Sequence, residues 1–123
     1  MTSTPRMLPL IALSIVALTL VAALASPVLA SPRDDAQIAR GQEVYAAQKC
    51  GMCHAVAGKG GKQNPLDGVG AKLSADDTRK WITHPAEMTA KTGSTKKPPM
   101  PAKYGSLPAA DLDALVAYLQ SLK

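Results

Sequence analysis

Cys50-Gly51-Met52-Cys53-His54 is the stretch around which the rest of the chain is organised. Two thiols separated by two residues and followed directly by an imidazole form the C-x-x-C-H pattern of covalent haem attachment. At this spacing each thiol can form a thioether with a vinyl group on one edge of the same haem, and the adjacent imidazole can reach the iron. The stretch therefore predicts one covalent haem c, with Cys50 and Cys53 as its thioether residues and His54 as the proximal iron ligand.

Two other kinds of site share parts of this pattern. A thioredoxin-like redox pair has the same cysteine spacing but normally comes with a βαβ context. Half of a zinc site would need further ligands at suitable spacing. Cys50 and Cys53 are the only cysteines of the chain, and His84 is the only other histidine, so a closed Cys/His zinc site would be oddly spaced.

The first thirty residues have the organisation of an export signal. A short polar start with the single basic residue Arg6 precedes residues 8–25, which are almost wholly apolar. Val28-Leu29-Ala30 then fits the small-x-small requirement for cleavage before Ser31, and Ala25 ends a second such site. We predict a signal peptide over residues 1–30 and one small domain over residues 31–123.

The alternative for the same stretch is an uncleaved anchor, because residues 8–25 are about long enough to span a bilayer. Membrane association is expected only in that case. In both cases the remaining chain lies outside the cytoplasmic membrane, so we predict a periplasmic protein. This location agrees with the haem motif, since c-type attachment takes place on that side of the membrane.

Length and composition predict a small domain that depends on its cofactor. The 123 residues include no Phe, one Trp and three Tyr, which gives little large apolar volume for a core. A covalent haem would supply the missing apolar volume. The formal net charge of +5 suits steering toward an acidic protein partner or belongs to an ordinary solvated surface. The basic residues do not alternate with aromatic ones, so no nucleic-acid binding is predicted.

Apolar periodicity predicts helices before and after the haem motif. The first begins near Asp34 and carries a stripe of Ile38, Gly41, Val44 and Tyr45. A glycine inside a helix costs about 1 kcal/mol relative to alanine, so Gly41 indicates a close approach by another helix.

Two further helices are predicted toward the C-terminus. One is capped by Ser74 and ends before Pro85; it carries Trp81, which we expect to pack near the haem. The last begins near Leu107 or Pro108, and its apolar face is formed by Leu112, Leu115, Val116, Leu119 and Leu122. The glycine-rich stretch 58–70 and residues 86–105 are predicted to be irregular loops, and no strand is predicted.

The sixth iron ligand has four candidates: Met52, Met88, Met100 and His84. Met52 lies within the attachment motif and cannot reach the opposite haem face. His84 would give a bis-histidine haem of lower potential. Met100 lies between prolines that restrict the backbone on both sides, and a thioether is a soft ligand suited to iron. We therefore predict Met100 as the distal ligand.

These features together resemble the class I monohaem cytochromes c, in particular the small bacterial periplasmic ones, over residues 36–123. The haem motif, Met100-Pro101 and the final helix stand in the order of that family. Asn64-Pro65-Leu66 resembles the segment whose proline carbonyl orients the proximal histidine, which places Pro65 in the haem pocket. The resemblance implies an all-α cytochrome c fold, with three to four helices and long loops wrapped around one haem.

The resemblance and the ligand set imply one-electron transfer between periplasmic redox protein partners. A haem with two axial protein ligands has no open position for substrate, so no enzymatic activity is expected. Two alternatives stay open. One is a haem subunit of a membrane-bound respiratory or dehydrogenase complex, anchored by residues 8–25. The other is a gas-binding or peroxidase haem protein with a labile sixth ligand.

Overall fold

The computed structural model describes residue 1 and residues 31–123. The predicted signal peptide or anchor therefore lies, apart from its first residue, outside the described part of the chain. Within that part, no helix has both the length and the apolar character needed to cross a membrane.

The described chain consists of helices and one very small sheet. The helices are α1 (Pro32–Ala47), α2 (Val69–Lys72), α3 (Ala75–Thr83), α4 (Pro85–Thr92) and α5 (Ala109–Ser121), with short 3₁₀ segments at Cys50–Met52 and Ala102–Ser106. Strands β1 (Ala55–Val56) and β2 (Lys59–Gly60) form an antiparallel hairpin. The predicted all-α architecture is confirmed.

Helix α1 begins two residues before the expected position. Pro32 occupies its first position, where a missing N–H removes no helical hydrogen bond. The backbone N–H of Ser31 donates to Asp34 Oδ2 at 3.2 Å. Asp34 and Asp35 both lie in the first turn, where negative charge is favoured by the helix dipole.

Helices α1 and α5 cross in direct backbone contact at Gly41. A Cβ atom added there would lie 2.1 Å from the carbonyl oxygen of Ala114 and 2.5 Å from Cβ of Tyr118. The rings of Tyr45 and Tyr118 meet edge to face beside this crossing, with centroids 5.6 Å apart. The prediction that Gly41 marks a close helix approach is confirmed.

The buried core lies mainly along α5. It comprises Val44, Ile82, Leu112, Leu115, Val116, Tyr118 and Leu119. Burial of one such side chain stabilises the fold by about 1.5–3 kcal/mol before chain entropy is counted. The core therefore joins α1 and α3 to α5.

The prediction of an irregular stretch over residues 86–105 is wrong in its first part, because α4 occupies Pro85–Thr92. His84, with φ −133° and ψ 56°, separates α3 from α4. Pro85 then starts the new helix, since its ring fixes φ near the helical value and its first-turn position needs no N–H donor. Gly93, at φ 65°, ends the helix.

The glycine-rich stretch after the haem motif is also more regular than predicted. It contains the β1–β2 hairpin and the single-turn helix α2. Ala57 and Gly58, with φ of 50° and 75°, connect the two strands, as two-residue hairpin turns require. Strands of two residues are too short to show an alternating sequence pattern, which explains why none was predicted.

Candidate functional site

One apolar cavity of about 390 Å³ brings together most of the predicted site residues. Cys50, Cys53, His54, Trp81 and Met100 all line it. Its apolar walls include Leu66, Val69, Ile82, Leu115 and Leu119, which belong to three helices and the loop before α2. A mainly apolar concavity with a few convergent polar groups is typical of a cofactor site.

The two cysteines and His54 reach this cavity from one tight backbone turn. Lys49, between α1 and the 3₁₀ segment that starts at Cys50, has a left-handed backbone conformation with φ 57°. The backbone N–H groups of Cys53 and His54 then both donate to the carbonyl oxygen of Cys50, at 3.1 and 3.0 Å. This turn places two thiols and one imidazole on the same cavity wall.

The two thiols differ in their surroundings. Cys50 is half-buried and Cys53 is exposed. Burial raises the pKa of the Cys50 thiol above its usual value, and the nearby positive charge of Lys103 opposes this effect only in part.

The imidazole of His54 is held at its Nδ1 atom. Nδ1 lies 2.9 Å from the backbone carbonyl oxygen of Asn64, and a carbonyl oxygen can only accept, so the proton of the neutral ring is assigned to Nδ1. Nε2 then keeps its lone pair for a metal. Tyr45 also donates its hydroxyl to the carbonyl oxygen of His54 at 2.9 Å, which fixes the backbone of the same residue.

The carbonyl that contacts His54 belongs to Asn64, one residue before the proline named in the sequence interpretation. Pro65 itself is exposed and is not among the residues that line the cavity. Its ring restricts the backbone conformation of Asn64 and so helps to fix the direction of the Asn64 carbonyl. The structure thus shifts the orienting carbonyl from Pro65 to Asn64.

Met100 is the one of the four sixth-ligand candidates that lines the cavity. Met88 is buried with 2% exposure in the body of the fold, and Met52 is 76% exposed. His84 is exposed, and its Nδ1 lies 2.8 Å from Thr83 Oγ1. Pro98, Pro99 and Pro101 line the cavity beside Met100, so the proline-rich segment forms part of the wall.

Sequence analysis missed two groups of residues at the cavity. Tyr104 lines it, and burial raises the pKa of its hydroxyl above the usual value. The chain has only three tyrosines, one tryptophan and no phenylalanine, and this scarcity of aromatic residues was the one sequence feature that could have pointed to Tyr104. Lys49 and Lys96 also line the cavity. They come from separate loops, so sequence spacing gives no sign that they share one site.

The donor set fits a haem and not the alternatives. Two thiols at vinyl-reaching spacing, an imidazole nitrogen and a thioether sulfur converge on one apolar volume. In the described part of the chain, no group of three or more His, Cys, Asp or Glu residues is placed to hold a metal ion, as a closed zinc site would need. The only strands described there are two residues long, unlike those of a thioredoxin-like βαβ unit.

Comparison with known proteins gives an independent result. The family model described as Cytochrome c matches residues 38–123, which is the greater part of the chain. Searches among curated proteins and among solved structures found no match. The chain therefore belongs to the cytochrome c family, whose members carry covalently bound haem c and exchange electrons with redox protein partners.

Proposed function

We propose that this cytochrome c carries single electrons between periplasmic redox proteins, with one haem attached to Cys50 and Cys53 and ligated by His54 and Met100. The observation that supports this ligand set is that all four side chains line a single apolar cavity. When bound, a haem ligated by an imidazole and a thioether supplies a reversible one-electron iron couple.

His54 and Met100 have complementary roles in this proposal. The Asn64 carbonyl keeps the His54 proton on Nδ1, so Nε2 is free to bind iron, and it makes the imidazole a stronger donor. Met100 supplies a soft sulfur from a segment braced by prolines. With His54 and Met100 both binding the iron, no position on it would be left for a substrate, and for this reason we propose a carrier and not an enzyme.

The apolar walls contribute by excluding water. Leu66, Ile82 and Leu115 line the cavity, and a dry, apolar environment disfavours the more highly charged oxidised state of the iron. The walls therefore act on the reduction potential in the opposite sense to the hydrogen bond at His54 Nδ1.

The charge distribution supports an acidic redox partner. Lys49 and Lys96 line the cavity, and none of its lining residues among those described is acidic. On other faces, Arg40 pairs with Asp111 at 2.8 Å and Arg79 pairs with Asp113. The lining of the cavity therefore carries positive and no negative side-chain charge among the described residues, which would steer an acidic partner toward the haem.

Export is part of the proposal. Residues 1–30 have the features of a signal peptide. Cleavage before Ser31 would leave a new α-amino group at the start of α1, where Asp34 already accepts from the Ser31 nitrogen. N-terminal sequencing of the protein purified from the periplasm should begin at Ser31; an intact N-terminus on a membrane-bound protein would instead support the anchored complex subunit.

Carbon monoxide distinguishes a closed carrier from a gas-binding haem protein. We expect the reduced holoprotein to leave its visible spectrum unchanged under carbon monoxide at neutral pH, because Met100 occupies the sixth position. Met100→Ala should bind carbon monoxide readily, and Met52→Ala, which changes an exposed methionine, should behave like the wild type. Rapid carbon monoxide binding by the wild type would contradict the carrier function.

A further inference from the structure

We propose that Asp67 is a positioning residue for the proximal ligand: it holds the Asn64 carbonyl against His54 by fixing the β1–β2 hairpin. The carboxylate oxygen Oδ1 of Asp67 accepts from the backbone N–H of Ala57 at 2.8 Å. Asp67 does not line the cavity, and the hydrogen-bond partner of His54 Nδ1 is Asn64. The inference rests on the proposed function, in which His54 binds the iron.

The contact falls on a strained residue. Ala57 has φ 50°, a region that residues with a Cβ atom adopt rarely. Such a conformation persists only where its surroundings hold it. The hydrogen bond to Asp67 stabilises this conformation directly, because it satisfies the N–H of the strained residue itself.

A second hydrogen bond ties the same two segments together. The backbone N–H of Leu66 donates to the carbonyl oxygen of Ala55 at 2.8 Å. Residues 66 and 67 are therefore fixed to the hairpin at two adjacent points. Asn64 lies two residues before Leu66, so these bonds determine where its carbonyl oxygen lies relative to His54.

Strand β2 and the residue after it, Gly61, lie against the haem motif. Gly61 donates its N–H to the carbonyl oxygen of Gly51 at 2.8 Å. A Cβ atom on Gly60 would be only 2.4 Å from the carbonyl oxygen of His54. With so little space, the hairpin cannot shift without disturbing the backbone that carries His54.

Loss of the Asp67 contact has a defined consequence at the imidazole. A carbonyl acceptor at Nδ1 makes a histidine a stronger donor to its metal, which favours the oxidised iron. If the Asn64 carbonyl becomes less well held, His54 becomes a weaker donor and the reduction potential rises. The exchange of the Nδ1 proton with solvent also becomes faster.

The charge of Asp67 is a competing explanation for any change in potential. The negative charge of this carboxylate contributes to the raised pKa of both Tyr45 and Tyr118, so its field extends to this side of the fold. Removal of a negative charge also raises a reduction potential. Variants that separate the hydrogen bond from the charge are therefore needed.

Three variants of the full-length holoprotein make this separation. Asp67→Ala removes both the acceptor and the charge. Asp67→Asn keeps an acceptor for the Ala57 N–H and removes the charge. Asp67→Ala combined with Ala57→Gly lacks the carboxylate, but glycine adopts a positive φ without strain, so the hairpin no longer depends on residue 67.

The measurements are NMR exchange of the His54 Nδ1 proton and the Ala57 amide, together with the reduction potential. In Asp67→Ala we expect both protons to exchange roughly fivefold faster, as loss of one hydrogen bond predicts, and the potential to rise above that of Asp67→Asn. Asp67→Asn and the Ala57→Gly double variant should exchange the Nδ1 proton at the wild-type rate. The double variant also provides the test if Asp67→Ala alone fails to fold.

Unchanged Nδ1 exchange in Asp67→Ala, or equal potentials in Asp67→Ala and Asp67→Asn, would overturn the positioning role and leave only a charge effect. Failure of the proposed function is seen separately. The wild type would then lack a hyperfine-shifted Nδ1 proton from His54, whereas failure of the Asp67 proposal leaves that wild-type signal in place.

Discussion

The Nδ1 atom of His54 lies 2.9 Å from the carbonyl oxygen of Asn64. The partners are ten residues apart, and the hairpin between them folds back so that they meet. This one contact assigns the proton of the ring, leaves Nε2 free and makes the imidazole a stronger ligand. The chemistry of the site therefore depends on how the backbone after the haem motif is held.

Tyr45 should stabilise the same backbone. Its hydroxyl donates to the carbonyl oxygen of His54 at 2.9 Å, and Tyr45→Phe removes the donor while keeping the ring. We expect the free energy of unfolding to fall by about 0.5–1.5 kcal/mol, the net value of one hydrogen bond, measured by urea denaturation of the holoprotein. Tyr104→Phe is the control at another cavity tyrosine, and equal losses for both variants would contradict a specific role of this contact.

Gly41 should be irreplaceable at the α1–α5 crossing. The Cβ of Gly41→Ala would overlap the Ala114 carbonyl oxygen, at 2.1 Å, and overpacking costs about 1–3 kcal/mol. The better helix propensity of alanine returns only about 1 kcal/mol, so we expect a net loss in thermal and urea stability. Gly51→Ala is the matched control, since its Cβ would meet only Tyr45, at 3.8 Å; a Gly41→Ala protein as stable as this control would contradict the prediction.

Tyr118 should make stability decrease at alkaline pH. Burial, assisted by the negative charge of Asp67, raises the pKa of Tyr118 above its usual value of 10.0. The folded protein then binds the phenolic proton more tightly than the unfolded chain does. The resulting stabilisation is complete below pH 10 and is lost as the pH rises through the higher folded pKa.

The measurement is the free energy of unfolding in urea from about pH 9 to pH 11 for the wild type and Tyr118→Phe. Lysines titrate in both proteins, so the difference between the two curves isolates the tyrosine. We expect the wild type to lose more stability than the variant above pH 10. Parallel curves over this range would show that the folded and unfolded pKa values are the same.

Lys49 and Lys96 should accelerate reaction with anionic redox partners. Ferricyanide and a cationic cobalt complex serve as oppositely charged oxidants of the reduced protein. Lys49→Glu combined with Lys96→Glu should slow oxidation by ferricyanide at least about threefold at low ionic strength and should not slow oxidation by the cation. The effect should shrink as salt screens the charges.

Lys80→Glu combined with Arg33→Glu is the charge-matched control, because both residues are exposed and neither lines the cavity. If this control slows the ferricyanide reaction as much as the cavity pair does, net charge and not its position controls the rate.

The parts of the fold that could be predicted from sequence are those encoded by neighbouring residues. The haem motif is contiguous, and α1 and α5 have clear apolar periodicity, so their faces and the close approach at Gly41 followed directly. Helix α4 was missed because Pro85 was interpreted as an end to helical structure, whereas it starts a second helix.

The site was predictable to a similar degree. Cys50, Cys53 and His54 follow from spacing, and Met100 was singled out by its flanking prolines; the structure places all four in one cavity. The sequence could not show that the carbonyl of Asn64, and not that of Pro65, contacts His54. A main-chain contact depends on the direction of the backbone and does not depend on residue type. Asp67 and the two cavity lysines depend on loop closure, which periodicity does not describe.

Ligation of the haem iron by Met100 is the central claim. The absorption spectrum of the oxidised protein, at the long-wavelength end of the visible range, tests it most directly. A methionine-ligated ferric haem has a weak sulfur-to-iron charge-transfer band there. We predict that the wild type and Met52→Ala show this band and that Met100→Ala lacks it. Persistence of the band in Met100→Ala would contradict the account.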